Sequence, residues 1–214
     1  YNQKNNFLMS IFIENYNSDA ESISIGLSVS DISTGEVYIS ESHTDKERGI
    51  NPYDKLSEFL SRFNPSEVSV TFLNFSKKAK SDFIERISQN NVAVTTNNYT
   101  KETYNLSNID AILSKTYPHA NTSLTMIEFL SLETMQYGIN ALIDSILFLN
   151  SHNPSIIKGM SYPVMHDQEN VMMVSPSGLQ HLDIIGYGNS RDNNSVMSFI
   201  DKTKTSMGSR MLRM

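Results

Sequence analysis

The chain has 214 residues, of which 39% are hydrophobic and 19% charged, with a formal net charge of -6 and no cysteine. Its length suits one large domain, or one domain and part of another, and the missing thiols exclude disulfides, thiolate zinc sites and a cysteine nucleophile. The acidic balance argues against a broad phosphate-neutralising surface, because affinity for duplex DNA comes largely from Lys and Arg displacing counterions, and no apolar run is long enough to cross a bilayer.

From Phe7 to Ile13 apolar residues alternate loosely, and from Ile23 to Val29 they alternate strictly against Ser24, Gly26 and Ser28. The spacing predicts two strands, each with one buried face. Ser33, Thr34 and Gly35 make a tight turn into a third strand over Glu36 to Ser40, which completes an antiparallel meander. Asn51-Pro52 starts a helix in cap and first-position order, with Tyr53, Leu56, Phe59, Leu60 and Phe63 on its inner face and Pro65 at its end. Val68, Val70 and Phe72 predict a fourth strand. Ser76 caps a second helix carrying Phe83, Ile84 and Ile87, and Val92 to Thr95 is a fifth strand.

Thr125 and Glu128 fit a capping box ahead of a short helix. A longer helix is expected from about Glu133 to Asn150. Its apolar residues, among them Ile139, Leu142, Ile143 and Ile146, cover more than one stripe, so it reads as enclosed and as the join to a following domain. His152 to Pro163 reads as linker, Val171 to Val174 as extended, and Ser175-Pro176 as a further helix start. Asn194 or Ser195 can cap a short buried helix carrying Val196, Met197, Phe199 and Ile200. Thr203 to Ser206 interrupts it, and Thr205 caps a last helix with Met207, Met211 and Leu212 on one face and Arg210 and Arg213 on the other.

Ser195, Asp201, Thr203, Thr205, Met207, Gly208, Arg210, Leu212 and Arg213 fall on the pattern S-L-(x)3-L-D-x-T-x-T-P-M-G-x-R-x-L-R, and so this stretch resembles the MutS mismatch-repair family. Ser206 stands at its Pro, and Val196 and Ile200 at its leucines. A second anchor lies far upstream. Gly26, Asp31, Ser33, Thr34 and Gly35 are similar to the G-x-A-x-x-D-x-S-T-G strand and turn of that family's connector domain. Between them, the family's M-D-x-x-T-x-x-N-L-E is matched only at Leu182, with Ser175 and Asp183 as role-preserving replacements.

The resemblance implies an α/β connector domain with a ribonuclease H-like mixed sheet over residues 1–128, followed over 129–214 by an all-α, truncated start of the MutS core (lever) domain. The chain opens at Tyr1 and stops within a helical period, so it is expected to be an internal piece of a longer protein. That parent is expected to bind mismatched duplex DNA and to couple recognition to ATP hydrolysis, with this piece as relay. The alternative is a relative acting in recombination or on DNA structures without mismatch reading. A third reading is a free-standing ribonuclease H-like nuclease. ATP and Mg²⁺ belong to the expected parent, which would be a homodimer with a MutL-type partner. Absence of Cys and Trp, with abundant Asn, Ile, Ser and Lys, resembles the family branch encoded in the mitochondria of soft corals, which implies a mitochondrial location, although an AT-rich viral or bacterial relative would share that composition.

Within the chain no catalytic, cofactor or metal residue stands out. Asp31 sits where nucleases of this fold place one metal-binding carboxylate, but no second acid faces it, and the turn amides of Ser33 to Gly35 offer it partners instead. The five histidines are scattered, Gly186-Tyr187-Gly188 lacks the dinucleotide spacing, and no G-x-x-x-x-G-K-[ST] loop is present. Lys202, Lys204, Arg210 and Arg213 form a local basic cluster that reads as a solvated helix face. The Asn-x-Ser/Thr triplets at Asn98, Asn105 and Asn121 read as coincidence in an Asn/Ser/Thr-rich chain.

Overall fold

The computed structural model describes residues 6–15, 22–88, 92–118, 124–166, 176–185 and 195–213. Strands β1 (Phe7–Asn15), β2 (Ile23–Asp31), β3 (Val37–His43), β4 (Glu67–Leu73), β5 (Ala93–Asn97) and the two-residue β6 (Val164–Met165) form one sheet in the order β5-β4-β1-β2-β3-β6. The meander β1-β2-β3 is antiparallel, while β4 and β5 run parallel to β1, and β6 parallel to β3. Helices flank this mixed sheet, as in the ribonuclease H-like fold.

One face of the sheet is the apolar half of the alternation. Met9, Ile11, Ile13, Ile25, Leu27, Val29, Val68 and Val70 pack there with Leu56, Phe59 and Phe63 of α1 (Pro52–Phe63) and with Phe83 and Ile87 of α2 (Lys77–Ser88). The Asn51 side chain caps α1 by accepting the Tyr53 N–H at 3.1 Å, and Asn64 ends the helix in the left-handed region at φ 41°. The Ser76 hydroxyl accepts the Ala79 N–H at 3.2 Å at the start of α2.

The second face of the sheet is covered as well. Every residue of β2 is buried, including Ser24, Ser28 and Ser30. A helical layer lies on them: α3 (Leu106–Thr116), α4 (Met126–Phe129), α5 (Gln136–His152) and α6 (Pro154–Ile157). The capping box at Thr125 and Glu128 is formed, with Glu128 N donating to Thr125 Oγ1 at 3.3 Å and Thr125 N to Glu128 Oε2 at 2.9 Å. Its Thr125 donors hold the Glu128 carboxyl below its ordinary value.

The helix expected as enclosed and as a join to a following domain is α5, and it is enclosed. It crosses β2, β1 and β3, and Leu142, Ile143 and Ile146 share a core with Leu8, Val37, Ile39 and Leu113. Each such side chain contributes about 1.5–3 kcal/mol when fully buried. The stretch expected as linker is also part of this body. Asn153 caps α6 by accepting the Ser155 N–H at 3.1 Å, and the chain then adds β6 to the sheet, so among the described residues the elements after 129 are helices apart from that strand.

The C-terminal part holds α7 (Pro176–His181), α8 (Val196–Ile200) and α9 (Ser206–Arg213). Helix α8, expected to be buried, is not: Val196, Phe199 and Ile200 are 49%, 80% and 51% exposed. Its Ser195 cap forms, accepting from Ser198 N at 3.2 Å, and Val196 N and Met197 N donate to Asp183 O and Ile184 O, but no described element covers its apolar side. The expectations for Val171–Val174, the Ser175 cap, Gly186–Gly188, Asn194 and the Asn121 triplet fall outside the described residues, as do the side chains of Arg210 and Arg213. Among the described residues no helix is long and apolar enough to cross a membrane.

Candidate coupling site

The turn from β2 to β3 is organised by Asp31. Its Oδ1 accepts the N–H of Ser33 at 2.8 Å and of Thr34 at 3.4 Å, while Gly35 N donates to the Asp31 carbonyl at 2.8 Å. Thr34 Oγ1 in turn accepts from Glu36 N at 3.3 Å. Gly35 sits at φ 80°, and a Cβ there would meet Gly159 O at 2.1 Å, so only glycine permits the close approach of the segment after α6. Ser161 N donates to Gly35 O at 2.8 Å and ties that segment down. The Asp31 carboxylate is thus spent on its own turn. No group of three or more His, Cys, Asp or Glu among the described residues could hold a metal ion.

Gly26, five residues upstream, marks a second close approach. A Cβ there would lie 1.8 Å from the carbonyl oxygen of Tyr137, so the first turn of α5 rests directly on the β2 backbone. The Met135 side chain caps nothing. Instead Glu41, at the end of β3, reaches across, and its Oε2 accepts the N–H of Tyr137 at 2.9 Å and of Gly138 at 3.1 Å. These amides have no partner inside the helix, and a carboxylate there also meets the positive end of the helix dipole. The other oxygen of Glu41 bonds His43 Nε2 at 3.1 Å, and His43 Nδ1 bonds Ser24 Oγ at 2.8 Å. Tyr137 Oη donates to Glu14 Oε2 at 3.1 Å, and Asn74 Nδ2 to Glu14 Oε1 at 3.1 Å. Burial raises the Glu14 carboxyl above its ordinary value, against the opposing field of Lys101. The start of α5 is therefore fixed to β1, β2 and β3 at once.

Two turns further along, α5 places Asp144 under the sheet with no exposed surface. Tyr104, in the 3-10 turn Lys101–Tyr104, donates to its Oδ1 at 2.6 Å. Burial pushes the Asp144 carboxyl up to about 7, with the Tyr104 hydrogen bond and the nearby Thr71 hydroxyl acting the other way. Burial and the neighbouring carboxylate push the Tyr104 phenol up as well. Thr71 lies near enough to weigh on the charge of both groups, yet neither its hydroxyl nor Asp144 Oδ2 completes a hydrogen bond of good geometry. Beside them Ser30 and Ser145 share a hydrogen bond of 3.0 Å, and Ser10 and Ser69 one of 2.8 Å. This polar seam was not singled out from the sequence. Its one signal is the acid within the apolar run 141–149.

The second predicted group lies between α8 and α9. Asp201 Oδ1 accepts the Thr203 N–H at 3.1 Å and Asp201 Oδ2 accepts from Ser209 Oγ at 2.7 Å, closing the joint as a ring. Thr205 Oγ1 accepts the Gly208 N–H at 3.1 Å and starts α9. A Cβ on Gly208 would come within 3.2 Å of Thr205 Oγ1 and 3.4 Å of Thr203 Cβ. The fold thus brings Thr203, Thr205 and Gly208 together, while Met207 faces outward, 55% exposed, and Arg210 contributes its backbone to α9.

Residues 6–130 match the family model for MutS domain II. The chain is 24% identical over 239 residues to the putative DNA mismatch repair protein mutS homolog L359 of Acanthamoeba polyphaga mimivirus, covering 99% of this chain and 21% of that protein. It is 26% identical over 223 residues to the DNA mismatch repair protein MutS of Prochlorococcus marinus, covering 99% and 22%. The chain therefore spans about a fifth of the length of these curated relatives. Among solved structures, the fowlpox virus Holliday junction resolvase is similar at 14% identity and a TM-score of 0.42 over 68% of this chain and 99% of that one. T. thermophilus RuvC in complex with Holliday junction substrate is similar at 13% identity and a TM-score of 0.38 over 68% of this chain and 96% of that one. Likenesses this distant carry no argument about function. The family match spans more than half of the sequence, and the chain belongs to the MutS domain II family.

Proposed function

We propose that this chain is the relay segment of a larger MutS-type protein of DNA repair or recombination, passing conformational change between a DNA-reading part and an ATPase part. The observation that carries this reading is the seating of α5 on Gly26 under the Glu41 cap, because it welds the helix to three strands and lets the two move as one body. A relay needs such a stiff element with a separate joint, and the Asp201–Thr203–Thr205–Gly208 ring is the proposed joint. The proposed division puts the connector at 1–128 and the start of the core domain at 129–214. Because α5 packs on the connector's sheet, the first long helix after the division travels with the connector.

The larger protein is proposed to be a homodimer that holds mismatched duplex DNA, uses ATP with Mg²⁺, engages a MutL-type partner and resides in the mitochondrion. The described residues offer no metal cluster and the sequence no phosphate loop, so no step is assigned to Mg²⁺ or ATP within this chain. The test uses the full-length protein. Glu41→Ala is expected to leave DNA affinity and basal ATP hydrolysis intact and to weaken the stimulation of hydrolysis by mismatched DNA; unchanged stimulation would remove the relay reading.

A second reading, action in recombination or on DNA structures without mismatch reading, draws on the same match, since domain II is what the chain supplies to either. It asks less of the residues present. Affinities of the full-length protein for paired duplex, mismatched duplex and a four-way junction separate the two: equal binding of the two duplexes with preference for the junction selects recombination.

A further inference from the structure

A cleft of about 610 Å³ opens between the end of α3 and the segment after α6. That volume is in the range of small-molecule pockets. Its charged lining residues among those described are Lys115 and Lys158, both exposed. In a chain of net charge -6, two lysines on one concavity, with no carboxylate among its described lining residues, mark a place for an anion.

The remaining lining specifies more than charge. Tyr117 and Tyr162 stand with ring centroids 5.3 Å apart at 46°, and Phe129 meets the Tyr162 ring edge-on at 5.5 Å. Tyr117 Oη donates to Ser161 O at 3.2 Å, which fixes that ring to the wall. Tyr162 is held by these two rings and is still 46% exposed, so it offers an oriented, partly exposed aromatic ring in the same cleft as the lysines. A planar ring stacks on such a surface while a phosphate meets ammonium groups at the rim.

We propose that this cleft binds a nucleoside monophosphate unit, base against Tyr162 and phosphate between Lys115 and Lys158. The unit comes either free or as one nucleotide of a single strand. The site is separate from the α5 seating and from the joint, and the inference does not depend on the relay reading.

The test is titration of the chain, with amide shifts in heteronuclear NMR as readout. The ligands are dTMP, thymidine, ribose 5-phosphate and a thymidine hexanucleotide. dTMP is expected to shift the amides of Lys115, Tyr117, Lys158 and Tyr162, with thymidine and ribose 5-phosphate each bound about tenfold more weakly. Tighter binding of the hexanucleotide, with an affinity falling at a log–log salt slope of about -0.7 for the one neutralised phosphate, assigns the strand as source, and equal binding assigns the free nucleotide. Lys115→Glu with Lys158→Glu, and separately Tyr162→Ala, are each expected to weaken dTMP about tenfold or more with the thermal melt unchanged. Shifts scattered over the surface, thymidine binding as well as dTMP, or variants binding like the wild type would each overturn the proposal. An acidic, aromatic peptide that displaced dTMP and bound more tightly would overturn it in favour of a protein partner.

Discussion

Glu41 and Tyr137, 96 residues apart, meet through a 2.9 Å hydrogen bond from the Tyr137 amide to Glu41 Oε2, so the end of a strand caps the start of the helix that crosses it. Glu41→Ala leaves two α5 amides without their acceptor and removes the negative charge from the helix N-terminus. A loss of about 1.5–3 kcal/mol is expected, read as a lower urea midpoint, with Glu41→Gln recovering part of it because its amide oxygen still accepts.

Gly26 and Gly49 separate two reasons for glycine. At Gly26 an added Cβ would stand 1.8 Å from the Tyr137 carbonyl oxygen, which is backbone and cannot swing away. Gly26→Ala is therefore expected to cost about 3 kcal/mol or more, and to loosen α5 protection in hydrogen exchange. Gly49 has nothing within 4 Å but sits at φ 67°, so Gly49→Ala should cost only the left-handed strain of about 1–2 kcal/mol, with α5 protection unchanged.

Asp144 makes stability depend on pH. Its folded carboxyl titrates at about 7 against an ordinary 3.8, so between these values the folded state binds the extra proton. Stability then falls as pH rises through that window, with a slope of up to about 1.4 kcal/mol per pH unit from this group, and levels off above it. Glu14, also raised by burial, adds a smaller fall in the same direction. Asp144→Asn keeps the acceptor for Tyr104 and removes the titration, so urea midpoints measured from pH 4 to 8 should fall less in the variant than in the wild type.

Thr205 starts α9 through its hydroxyl. Thr205→Ala should cost that helix about 1 kcal/mol and speed amide exchange at Gly208, while Thr205→Ser keeps the acceptor and should leave exchange near the wild-type rate.

Strands β1 to β4 and helices α1 and α2 were legible because each carries its own punctuation: a period of two, the Asn51-Pro52 start, the Ser76 cap. Other features depend on partners distant in sequence. That Ser24, Ser28 and Ser30 would be buried was not legible, since alternation separates two faces without saying what covers either. The stripe of α5 marked it as enclosed, but an enclosed helix looks the same whether it joins two bodies or lies across one sheet. The two residues of β6 are too few to show any period. Helix α8 shows the converse, an apolar stripe at helical spacing with no described element packed against it.

Local chemistry alone determined strands β1 to β4, helices α1 and α2, the caps at Asn51, Ser76 and Thr125, the Asp31 turn and the Thr205 helix start, because each is made by residues within a few positions of one another. Only the tertiary structure decided that Glu41 caps α5, that Gly26 receives Tyr137, that Asp144 is sealed beneath the sheet and that two lysines and two tyrosines share a cleft. Those relations join residues far apart in sequence, where hydrogen-bond partner, steric contact and dielectric are set by packing rather than by spacing.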